Sequence, residues 1–104
     1  MIALWISNSF LDPAHAADEK WKSETLADAL LAAPPSVTDD ARIYGWGDKG
    51  DLTLVRDGRG PHTCVASGAF SLRLGKPPLP YPDPMCMDQN AWAFLQAVWS
   101  EKDP

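Results

Sequence analysis

Chemistry-bearing side chains are scarce in this sequence. It holds two cysteines, Cys64 and Cys86, with no C-x-x-C, and two histidines, His15 and His62. Neither G-x-S-x-G nor H-E-x-x-H occurs, so the nucleophile elbow of the α/β-hydrolases and the paired ligands of the zincins are both missing. The nine Lys and Arg are scattered among fourteen Asp and Glu, for a net charge of −5. With no basic stripe to neutralise phosphates or anionic headgroups, nucleic acid and membrane surfaces are not expected partners. The apolar stretch at residues 2–11 is far too short to span a bilayer as a helix. No internal repeat is visible.

What is present suits one small domain. A chain of 104 residues leaves no room for a second core, and 45% hydrophobic content with five Trp is enough to build one. A core of this size is marginal by itself, which makes a covalent staple useful. The first 16 residues stand apart. Their apolar run is broken by Asp12-Pro13 and followed by Ala14-His15-Ala16, and small residues one and three positions before a cut suit signal peptidase. Residues 1–16 are therefore expected to be a signal peptide, and 17–104 a single domain that is periplasmic or secreted. No Lys or Arg precedes the apolar run, and a leader beginning upstream of Met1 would supply one.

Residues 18–33 read as a helix, with Trp21, Leu26, Ala29, Leu30 and Ala33 on one face and Pro34-Pro35 as its stop. A polar connection over 34–41 follows. All seven glycines fall between Gly45 and Gly75, where they punctuate strand-like runs at 42–46, 51–56, 62–66 and 69–74. Phe70, Leu72 and Leu74 alternate with Ser71 and Arg73 in the last of these. Asp48-Lys49-Gly50 and Asp57-Gly58 are turn chemistry. Residues 75–85 contain five of the ten prolines and predict an extended crossover. Residues 88–101 predict a second helix, with Asp88 as N-cap and Trp92, Leu95, Val98 and Trp99 facing inward. The order points to an α+β fold: a small antiparallel sheet of three to four strands flanked by an N-terminal and a C-terminal helix, with one disulfide.

Two cysteines in an exported chain are expected to pair, because the compartment is oxidising. A Cys64–Cys86 bond would close a loop around the proline-rich crossover. The run L-V-R-D-G-R-G-P-H-T-C ending at Cys64, then D-P-M-C-M-D around Cys86 and Trp92, resembles a group of short exported bacterial proteins with W-T-C … D-P-M-C-x-D motifs and a Trp-rich terminal helix. The Ala33-Pro34-Pro35 entry is similar as well. His62 stands where that group has Trp, and the segment 65–82 is longer here. The resemblance implies export and cysteine pairing. It implies no activity.

His62, Cys64, Met85, Cys86 and Met87 are also soft ligand types that suit copper(I), and copper handling or thiol redox chemistry is the alternative to a structural disulfide. The two exclude each other, since copper needs the thiolates that the bond consumes. Zinc has too few good ligands, and catalytic thiol chemistry lacks a neighbouring partner cysteine. With His15 in the leader, His62 is left as a lone histidine, and Asp48, Asp51 and Asp57 lack the D-x-D-x-D-G order of a calcium loop. Trp46, Trp92 and Trp99 read as core in preference to an aromatic binding face. The expected role is a non-enzymatic binding or structural module for a protein or small-molecule partner, without cofactor.

Overall fold

The computed structural model describes residues 13–100, so most of the expected leader lies outside the described residues. Helix α1 (Pro13–Ala29) runs on through a 3-10 turn (Leu30–Ala32). A one-turn helix α2 (Pro35–Thr38) precedes strands β1 (Arg42–Trp46), β2 (Leu52–Arg56) and β3 (Thr63–Val65). A second 3-10 turn (Leu72–Leu74) interrupts the long loop to β4 (Met85–Met87), and helix α3 (Gln89–Ser100) follows. The fold is α+β, with helices at both ends of the described chain. No helix among the described residues is long and apolar enough to cross a membrane.

The sheet order is β2-β1-β3-β4, and the sheet is mixed instead of antiparallel throughout. β1 pairs antiparallel with β2 but parallel with β3, and β3 pairs antiparallel with β4. The reason lies in the D-G-R-G-P-H segment after β2. It passes across the start of β1, where Gly60 N–H donates to the Asp40 carbonyl and Arg42 N–H to the His62 carbonyl. A Cβ on Gly58 would come within 2.4 Å of the Asp40 oxygen, so only glycine lets the chain cross this closely. Arg56 donates to the carbonyls of Thr38 and Ala41 and ties the end of β2 to the same corner.

Strand alternation gives the sheet two unlike faces. Ile43, Cys64 and Ala66 share one face with Ala29 and Ala41, and Leu26, Val55 and Cys86 pack around them. These small side chains let α1 lie close to the sheet. At Gly45 the approach is closest, since a Cβ there would sit 2.4 Å from Thr25 Cγ2 and 3.2 Å from the Trp21 ring. On the opposite face Trp46, Val65, Ala69 and Met87 meet Tyr44, Leu52, Trp92, Leu95 and Trp99. Asp88 Oδ1 accepts from Ala91 N–H and caps α3.

Three further expectations need correction. Residues 69–74 form a bend and a 3-10 turn, and Met85–Met87 supplies the fourth strand in their place. The alternation there had no partner strand to pair with, and Phe70 and Leu74 remain 60% and 49% exposed. Val98 is likewise exposed, one step off the face that carries Trp92, Leu95 and Trp99. Leu30 is exposed as well, because the helix tightens into its 3-10 turn at that residue.

Candidate functional site

Cys64 and Cys86 are direct neighbours across β3 and β4, and they form a disulfide. Alternation sends both sulfurs to the α1 side and sends Met85 and Met87 to the tryptophan side. The soft ligands proposed for copper are therefore divided between two faces, and both thiols are consumed. His62 is half-buried in the crossover before β3. Among the described residues no three His, Cys, Asp or Glu gather as a metal site. Asp51 accepts from Thr53 Oγ1 at the turn end of the β1–β2 hairpin. Asp57 lies at the other end, where the Gly58 N–H and the Arg42 guanidinium hold its carboxyl below the ordinary value of 3.8.

The first hollow is a groove of about 550 Å³ between the β1–β2 turn and the end of α3. Trp46 and Trp99 line it, with ring centroids 5.4 Å apart at 71°. Trp99 also meets Trp92 edge-on at 6.2 Å, and Trp92 stacks on Tyr44 at 5.2 Å. These contacts fix the indoles as parts of the core that also form a wall. Trp46 spends its N–H on the Ala66 carbonyl. The Arg73 guanidinium lies 5.3 Å from the Trp99 ring centroid, and its Nε donates to the Ala69 carbonyl. Asp51 and Gln96 complete a polar rim.

The second hollow, about 250 Å³, is built almost wholly by the loop that the disulfide closes. Ser67 is its hub. The Ser67 N–H and Oγ–H donate to the two oxygens of Asp28 at 2.6 and 2.9 Å, and its Oγ accepts from Asp83 N–H at 2.7 Å. Asp83 Oδ1 accepts in turn from Gly68 N–H. This chain ties the end of α1 to the proline-rich loop. Asp83 Oδ2 and Ser71 Oγ are buried with no hydrogen-bond partner. Leaving such a group unpaired costs about 1–3 kcal/mol.

Sequence reasoning gave no signal for this second site. Asp28 falls in the segment read as the first helix, Ser67 between two strand-like runs, Ser71 in the last of those runs and Asp83 in the crossover. Only the return of the loop onto α1 brings the four together. No family model, curated protein or solved structure matches the chain.

Proposed function

We propose that this chain is an exported, non-enzymatic binding module, working in the periplasm or outside the cell, that holds a saccharide unit in the Trp46–Trp99 groove. The disulfide suits an oxidising compartment, and the A-H-A sequence and the likeness to small exported bacterial proteins belong to the same reading. The observation that carries it is the composition of the groove: the half-buried Trp99, backed by the buried Trp46, as an apolar wall, with Arg73, Gln96 and Asp51 around them. Apolar walls with a few convergent polar groups are the usual make-up of a ligand pocket. A sugar ring presents a C–H face to indole and hydroxyls to a rim of donors and acceptors. No histidine or cysteine lines the groove. The one hydroxyl among its lining side chains, Ser100, donates to the Ala97 carbonyl.

Titration with cellobiose and with maltose, followed by tryptophan emission, tests the reading. At least one disaccharide should give a saturable change. Gln96→Ala and Asp51→Asn should each weaken it by about fivefold, roughly the worth of one hydrogen bond, without moving the melting temperature. Flat titrations with both sugars, or variants that bind as well as the parent, would overturn it.

A further inference from the structure

We propose that the cavity inside the disulfide-closed loop binds a primary ammonium group on a short aliphatic chain, as found in a free alkylamine or a lysine side chain. The argument uses residues that the saccharide groove does not, and it stands independently of that groove. Asp28 and Asp83 both line the cavity, and no Lys, Arg or His does. The electrostatic complement of two carboxylates without a cation is a cation. Ser71, only 2% exposed, and Asp83 are both lining residues, and each carries a buried oxygen without a hydrogen-bond partner, Ser71 Oγ and Asp83 Oδ2. An ammonium carries three donors and no acceptor, which matches one free carboxylate oxygen, one free hydroxyl and the remaining lone pairs of Asp28.

The walls select against the other candidates. Proline has no N–H, so Pro78, Pro80 and Pro82 bring ring carbons and no donor for an anion. Leu72 and Leu79 extend the apolar surface that methylenes would cover. A hard metal ion needs six or more oxygens, and three of the four carboxylate oxygens here already accept hydrogen bonds from Ser67 and Gly68. A hollow of about 250 Å³ is below the range of drug-sized pockets and suits a ligand of a few heavy atoms.

The test is an amide-detected NMR titration of the disulfide-bonded chain with n-butylamine hydrochloride at neutral pH. The Gly68 and Asp83 amides should shift and saturate, with Kd on the order of a millimolar for so small a ligand. n-Butanol, the neutral isostere, should bind about tenfold more weakly or not at all. Ser71→Ala removes a hydroxyl that has no protein partner, so it should weaken butylamine severalfold with an unchanged melt. Asp83→Asn should weaken it by about tenfold, and the Ser71 variant decides the matter if the Asp83 variant fails to fold. Nα-acetyl-lysine methylamide separates the sources: binding at least as tight as butylamine assigns a lysine of a partner chain, and weaker binding assigns a free amine. Three results would overturn the proposal. These are no lining shift with butylamine, equal binding of butanol or of the Ser71 variant (as a cavity filled by water alone would give), or the same shifts produced by calcium chloride.

Discussion

Reducing Cys64–Cys86 probes how much of the stability rests on one bond. The cysteines are 22 positions apart, and freeing a loop of that length returns about 3 kcal/mol of conformational freedom to the unfolded chain. Little is lost in the folded state itself. Cys64 is fully buried against Ala29, Ala41, Ile43 and Ala66, where a thiol packs as a small hydrophobe. The loop between the cysteines also keeps its own ties, from Ser67 to Asp28 and Asp83 and from Gly68 to Asp83, so it stays held in the folded state when the bond is cut. In a domain of this size each kcal/mol moves the midpoint by about 4–8 °C, so reduction should lower Tm by roughly 12–24 °C. Circular dichroism melts with and without a phosphine reductant measure this, with alkylation and mass spectrometry confirming the thiol state. Cys64→Ala with Cys86→Ala should melt close to the reduced protein. A drop below about 5 °C with both thiols labelled would refute the loop-closure argument. Two labelled cysteines in the untreated native protein would remove the bond altogether and return both thiols as candidate metal or redox groups.

Two further outcomes follow from the packing and the charges. Gly45→Ala should cost about 1–3 kcal/mol in urea unfolding, because its Cβ would fall 2.4 Å from Thr25 Cγ2. Adding Thr25→Ala should recover most of that loss, and an equal cost in both backgrounds would sink the close-approach argument. Asp57 titrates below its ordinary value, so the folded state favours the carboxylate and its contribution is complete above pH 3.8. It is lost as pH falls through the lower folded value. The stability gap between the parent and Asp57→Asn should therefore close only in strongly acid solution, and a gap that stays constant down to about pH 2 would contradict the assignment.

Local chemistry was legible in the residues themselves. Pro34-Pro35 ends one helix and Asp88 opens another. The glycine-punctuated run at 42–46 is a strand and so is all but the first residue of the run at 51–56, and the proline-rich segment is neither helix nor strand until Met85 opens β4. The cysteine pairing was readable too, since two thiols flanking one loop have a single partner each. Each of these is set by interactions within a few residues, or by a choice of one. Strand direction was not legible, because it depends on which side of β1 the crossover passes, and that is settled by Gly58 clearing the Asp40 carbonyl. The strand-like alternation at 69–74 stayed unpaired because Met85–Met87 occupies the edge beside β3. Period-two spacing reports what a segment would bury, and only the tertiary fold decides whether a neighbour is there to bury it. Both hollows belong to that second kind of information. The groove joins the hairpin turn to a helix some fifty residues later, and the cavity joins Asp28 to a loop that returns at Asp83. Such juxtapositions are set by packing across the whole domain, and no local pattern encodes them.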